Sequence, residues 1–498
     1  MTIDVLILFL VFLIAGAFVV DHILKKLSPP TFDEAKASQL AKTARWTEEA
    51  RRKASAPLIS IPMRSVYLGK YITSTTNGFL PDSGVWVSGN QVSLDLSIFG
   101  GHIAIFGSTG YGKTELEKRL LYELFSKTDL NIHLYDGKGN EDLTRAFCSM
   151  AYMFGRGNAK VFRMGQQRKG YPYNAFTGSP EAIKEKLIAL SDIPSLEKNG
   201  LWYGKMKRMV INAICDAPGG PPRSLDEFMF RVTDKWFSDT YGSSSPYRKD
   251  QATQQRVSLM MKNVGSNPSP IDNVALDFYA IKDELGPYLA DDGLSLESDR
   301  AINFSVRLSS MPFVGKYFTE FVLSDYLDYA YNRMDRPTVL MIDEQGILPG
   351  MNLEHLLAVA RQAGLKIIFT TQSFASLGDQ LTQERILSNC NTQIFLKLLY
   401  PDYASEMSGT TMQPETAYQS ENGLHTGMTS TRFQHQFAIP PKELRELPVG
   451  QCYLYRDGGN ARIAIEAIPP LPEPPPEETY VPTPKPMQPM PAVKHPTP

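Results

Sequence analysis

The clearest chemistry in the chain lies in Gly107-Ser108-Thr109-Gly110-Tyr111-Gly112-Lys113-Thr114, a complete G-x-x-x-x-G-K-[ST] element. These residue types suit a chain of phosphates. Backbone N–H groups of such a loop wrap a β-phosphate, and the following helix N-terminus favours negative charge. Lys113 reaches the β and γ oxygens, and the Thr114 hydroxyl ligates Mg²⁺. A glycine-rich turn alone would say less, so the flanks decide. Ile103-Ala104-Ile105-Phe106 reads as a buried strand entering the loop. Leu116, Leu120, Leu121 and Leu124 then recur at helical spacing.

Further along, Val339-Leu340-Met341-Ile342-Asp343-Glu344 is an apolar strand ending in two acids. With a phosphate loop upstream, Asp343 fits a carboxylate that holds Mg²⁺ and Glu344 one that polarises an attacking water. The next apolar run, Lys366 to Thr371, ends in Gln372, whose amide suits a γ-phosphate or the lytic water. Arg361 precedes that run. A guanidinium fits transition-state charge on a phosphoryl group, although a lone Arg is as often a solvated surface residue.

These residues need a parallel α/β sheet to bring them together. Asn131 to Asp136 reads as a second buried strand after the phosphate-loop helix, and strand–loop–helix–strand predicts such a sheet. From about 178 to 295 the pattern is helical, broken by Pro and Gly clusters. It predicts an inserted all-α, substrate-facing part distinct from the nucleotide core. Residues from 468 to 498 are Pro-rich with few apolar groups, which predicts a disordered tail.

The chain has 498 residues, 42% hydrophobic and 21% charged, with net charge −2. That length predicts several domains, and the balance excludes a global basic field for nonspecific nucleic-acid binding. Four scattered cysteines show no metal-ligand spacing and predict reduced, buried thiols. Val5 to Val20 is an apolar run, followed by Lys25, Lys26, Lys36, Lys42, Arg45, Arg51, Arg52 and Lys53. The charge asymmetry predicts a single uncleaved membrane anchor with its N-terminus outside and the bulk of the chain in the cytoplasm. The expected division is an anchor at 1–26, a helical linker at 27–60, a nucleotide-binding domain in two parts at 61–177 and 296–467, the insertion at 178–295 and the tail at 468–498.

The order of these tracts resembles a known family. After the phosphate loop come Asp136-Gly137-Lys138-Gly139-Asn140-Glu141, Tyr173-Asn174, the insertion, Asp343-Glu344, and Arg361-Gln362-Ala363-Gly364 leading to Thr371-Gln372-Ser373. Together they resemble the type IV secretion coupling proteins, the VirD4/TraG/TraD-like conjugation motors of the FtsK/HerA-like superfamily. The resemblance implies a RecA-like P-loop ATPase using ATP and Mg²⁺, anchored in the bacterial inner membrane and assembled as a hexamer. It implies delivery of single-stranded DNA with its relaxase, or of protein effectors, to type IV secretion channel components. By motif position it gives Lys113, Thr114, Asp343 and Glu344 nucleotide and catalytic roles, Gln372 the γ-phosphate sensor role, and Arg361 the role of a finger acting in a neighbouring subunit. The chain departs from the pattern in showing one span rather than two, and in placing Asn140 between Lys-Gly and Glu141. Two other readings are an FtsK-like DNA translocase and an ATP-dependent substrate receptor or scaffold. A pure binder has no need of Glu344.

Overall fold

The computed structural model describes residues 65–73, 85–88, 90–95, 101–165, 170–191, 200–242, 251–262, 268–332, 337–344, 346, 350–360, 363–421, 424–477 and 480. The expected anchor at 1–26, the linker at 27–60 and Arg361 lie outside the described residues. Among the described residues no helix is long and apolar enough to cross a membrane.

The first strands are β1 (Ser65–Thr73), β2 (Val85–Ser88), β3 (Gln91–Asp95), β4 (Ile103–Phe106), β5 (Asn131–Asp136) and β6 (Lys160–Arg163). Beyond the helical region follow β7 (Ala301–Ser305), β8 (Thr338–Asp343), β9 (Leu365–Thr371), β10 (Thr392–Phe395), β11 (Thr410–Glu421), β12 (Leu424–Phe437), β13 (Gln451–Arg456) and β14 (Gly459–Ile465). Twelve of them form one mixed sheet, β2-β3-β1-β14-β13-β10-β4-β9-β8-β5-β7-β6, while β11 and β12 pair as a separate hairpin. From β10 to β6 all neighbours are parallel. The remaining pairs are antiparallel.

Strands buried on both faces read as unbroken apolar runs, which is how β4, β5, β8 and β9 were legible. Their alternate residues divide between two cores. Ile103, Ile105, Ile132, Leu134, Val339, Met341 and Ile368 pack with Leu116, Leu120, Leu121 and Leu124 of the helix Lys113–Lys127. Ala104, Phe106, Tyr135, Leu340, Ile342, Ile367 and Phe369 face the other side. There they join Phe318 and Phe321 of the helix Pro312–Asn332 and Leu353, Leu356 and Leu357 of the helix Gly350–Ala360.

The predicted helical region is present, with helices Pro180–Ser191, Gly200–Cys215, Leu225–Arg231, Asp234–Tyr241, Gln251–Met260 and Pro270–Leu285. Its helices pack onto the sheet. Leu187, Ile211, Phe228, Val274 and Phe278 share one continuous core with Phe304 and Leu340 of the sheet. Polar anchors reinforce the join. Lys186 and Asp325 form an ion pair at 2.5 Å with side chains 2% and 1% exposed. The Tyr173 hydroxyl donates to the same carboxylate at 2.6 Å.

The tail departs from expectation over its described part. Ile468 and Leu471 pack against the second core. Arg163, itself buried, holds Glu477 on one side and Glu141 on the other. Tyr480 donates to Asp292 and meets the Tyr171 ring edge-on. A Pro-rich segment has too few apolar groups for a core of its own, but it can cover a core that already exists. All four cysteines are free and buried, as expected.

Candidate functional site

In a parallel sheet every strand ends at the same edge, so Phe106, Thr371, Asp343 and Asp136 are brought side by side, and ligands of open α/β sheets bind at that edge. The strand order explains the spacing. β9 lies between β4 and β8, so the segment ending in Gln372 separates the phosphate loop from the acid pair.

The phosphate loop is seated by its neighbours. Gly107 N–H donates to Thr371 O at 3.1 Å and Ser108 N–H to Lys397 O at 2.8 Å. Gly112 caps the helix Lys113–Lys127 with φ 99°, a left-handed conformation that glycine adopts without strain. Thr109 and Gly110 are exposed at the tip, and a Cβ added to Gly110 would meet nothing within 4 Å. The loop is open where an anion would sit.

Lys113 rises from the first helical position into a site crowded with carboxylates. Its side chain is only 7% exposed, and Nζ lies 3.6 Å from Glu344 Oε2. Nζ makes no hydrogen bond. Burial holds its pKa below the usual lysine value, opposed by the charge of Glu344 and assisted by that of Lys138. A buried ammonium with unspent donors, beside an open loop of N–H groups, fits the phosphates of a nucleotide.

Thr370 organises the acid pair. Its hydroxyl accepts the Glu344 N–H and donates to Asp343 Oδ1, both at 3.1 Å. Glu344 adopts φ 64°, a left-handed conformation unusual for a residue with a side chain. Its Oε2 receives Lys138 Nζ at 2.6 Å and Gln372 Nε2 at 3.0 Å. Burial alone would raise its pKa. Hydrogen bonds from Lys138 and Gln372 and the charges of Lys113 and Lys138 outweigh it, leaving the carboxyl below its usual range. The structure thus gathers Lys113, Asp343, Glu344 and Gln372, with Thr114 beside Lys113 on the same first turn. Ala363 and Gly364, which flank the Arg361 segment, precede β9 and so lie at the opposite edge of the sheet.

Two residues absent from the sequence-based site join it. Lys138 bridges the acids, 2.6 Å from Glu344 and 3.9 Å from Asp343. The loop beneath it is held by Asp136, whose carboxylate accepts the N–H groups of Lys138, Gly139 and Asn140. Burial, then the charge of Asp343, pushes Asp136 up to about 6, against those three bonds. Glu117 is fully buried on the phosphate-loop helix, and neither carboxylate oxygen makes a hydrogen bond. Burial, then the charge of Asp343, raises its pKa well above the usual range, favouring its protonated form. The sequence carried one signal for it: an acid one turn after Lys113, within the apolar stripe.

Comparisons with known proteins match both segments that carry these residues. Residues 337–449, with the acid pair and Gln372, match the family described as the TraM recognition site of TraD and TraG. Residues 69–171, with the phosphate loop and Lys138, match the central domain of the helicase HerA. The fold resembles that of the bacterial conjugative coupling protein TrwB in its unbound form (TM-score 0.54, 14% identity, 82% of this chain and 97% of that one). It also resembles the plasmid coupling protein TrwB in complex with ADP and Mg²⁺ (0.53, 15%, 85% and 100%). VirB4 of Thermoanaerobacter pseudethanolicus is similar in fold too (0.51, 15%, 81% and 96%). No curated protein matches the chain. A HerA-type segment carries the phosphate loop, a TraG/TraD-type segment carries the acid pair, and one TrwB-like sheet joins them: the chain is TraG/TraD-like over residues 337–449 and HerA-like over residues 69–171.

Proposed function

We propose that the chain is a membrane-anchored ATPase motor that delivers single-stranded DNA with its relaxase, or protein effectors, to a type IV secretion channel. The observation that carries this reading is the convergence of Lys113, Asp343, Glu344 and Gln372 at one sheet edge. Gly107, Ser108, Thr109, Gly110, Tyr111 and Gly112 would wrap the phosphates of ATP, with Lys113 on the β and γ oxygens. Thr114 and Asp343 would hold Mg²⁺. When bound, Mg²⁺ supplies positive charge to the phosphate oxygens. Glu344 orients the attacking water, and Gln372, bonded to Glu344, reports the state of the γ-phosphate to the strand behind it.

Arg361 acts on a neighbouring copy in this reading. The described residues that follow it, Ala363 and Gly364, precede β9. The family resemblance supports this reading and a hexameric ring. Residues 1–26 supply a single inner-membrane anchor with the N-terminus outside. Nucleotide binding and ATP turnover of two variants test the core of this reading. Lys113→Ala should lose ADP and ATP binding. Glu344→Gln should bind ATP and stall before cleavage, and normal turnover in that variant would remove Glu344 from its assigned role.

A further inference from the structure

The acid pair already has a cation. Asp343 and Glu344 are adjacent and buried, with Glu117 and Asp136 nearby. Lys113 and Lys138 are the two cations in ion-pair range of them among the described residues. Lys113 belongs to the phosphate loop. Lys138 does not: it comes from the far side, on the loop after β5, and its side chain is 39% exposed.

Three observations separate the Lys138 side chain from the architecture. Its loop is fixed by backbone N–H groups bonded to Asp136, not by its ammonium. The loop turns at Gly139, where φ is 68° and an added Cβ would stand 2.4 Å from the Arg307 side chain. The helix that follows is capped by Asn140, whose side chain accepts from Asp142 and Leu143 N–H groups. The backbone therefore keeps its place when the ammonium alone is removed. What the ammonium contributes is positive charge beside Glu344 and Asp343, the second of which would hold the divalent ion of a nucleotide complex.

We propose that Lys138 is the resident counter-ion of the acid pair, displaced when Mg²⁺ enters with a nucleotide. The inference rests on the nucleotide site proposed above. A compact ammonium on a flexible four-carbon stem suits the task, because it neutralises the acids and can swing out to solvent. It makes free Mg²⁺ a poor ligand of the empty site and reserves the acids for a cation that arrives with phosphates. Lys138 is in these terms a positioning residue: it sets the occupancy of Asp343 and Glu344 without touching the reacting atoms.

The test is a Mg²⁺ titration of ADP binding to the full chain, followed by calorimetry. In Lys138→Met the Mg²⁺ concentration for half-maximal ADP binding should fall about fivefold, the scale of a partly exposed ion pair. Lys138→Gln should give the same shift, and Lys138→Arg, which keeps the charge, should not. ADP affinity without Mg²⁺ should not weaken in any of the three. An unchanged or higher Mg²⁺ requirement in Lys138→Met overturns the proposal. So does weaker ADP binding without Mg²⁺, which would make Lys138 a phosphate ligand instead. Wild-type protein that binds no ADP at any Mg²⁺ concentration would sink the nucleotide site itself, a result distinct from either.

Discussion

Replacing Lys186 with methionine tests whether the helical region and the sheet are one structural unit. All three Lys186 Nζ protons are spent inside the protein: on Ala175 O at 2.6 Å, Thr177 O at 2.8 Å and Asp325 Oδ1 at 2.5 Å. Methionine fills a similar volume but leaves Asp325 charged and buried, with two carbonyl groups unpaired. Breaking such a pair from one side costs about 3–5 kcal/mol. Replacing both partners, Lys186→Met with Asp325→Leu, removes the stranded charge and should recover about 2 kcal/mol or more of that loss. Guanidinium unfolding followed by tryptophan fluorescence reads the effect, because Trp236 of the helix Asp234–Tyr241 packs against the shared core. A shared core also requires that ADP binding be lost at the same denaturant concentration. The reasoning fails if the single variant is no less stable than the double one, or if the fluorescence and binding transitions separate widely.

Further outcomes follow from individual residues. His133 is fully buried between Tyr326 Oη and Asp299 O, and burial pushes its pKa down to about 4, so the fold holds the neutral ring. The unfolded chain takes up the proton first: stability should decline as pH falls from about 6.5 towards 4, with about 2 kcal/mol lost by pH 5. His133→Gln should flatten that part of the thermal-stability profile. Gly112→Ala places a Cβ at φ 99°; the strain of about 1–2 kcal/mol should weaken ADP binding roughly tenfold in a direct binding assay. Mixing Arg361→Ala with Lys113→Ala subunits, each inactive alone, should restore partial ATPase activity, and a mixture as dead as its parents despite shown co-assembly would place Arg361 elsewhere.

Single segments were legible because their patterns are local. Ile103 to Phe106, Asn131 to Asp136 and the run ending at Asp343 were readable as strands from unbroken burial on both faces. Their juxtaposition was not. Lys138 meets Glu344 because β5 pairs with β8 in register, Asp136 opposite Asp343, and spacing along the chain carries no trace of that pairing. Glu117 stands out in the sequence only as an acid within an apolar stripe, and its place beside Asp343 does not show there. The insertion shows the same limit: helical periodicity announces an apolar face, not what the face meets, so the core shared by Phe278 and Phe304 was invisible. Composition misled at the tail, since proline content says nothing of Arg163 waiting to receive Glu477.

The left-handed backbone of Glu344 sets stability against function at one position. Glycine would occupy that conformation freely, but it would also remove the carboxylate that Lys113, Lys138 and Gln372 face. In a library of this chain selected only for thermal tolerance, enrichment of glycine at 344 would mean that relief of the backbone strain outweighs those contacts, and every such winner would have discarded the group proposed to orient water. Persistence of glutamate there under selection for stability alone would mean that the residue supports the fold as well as the chemistry.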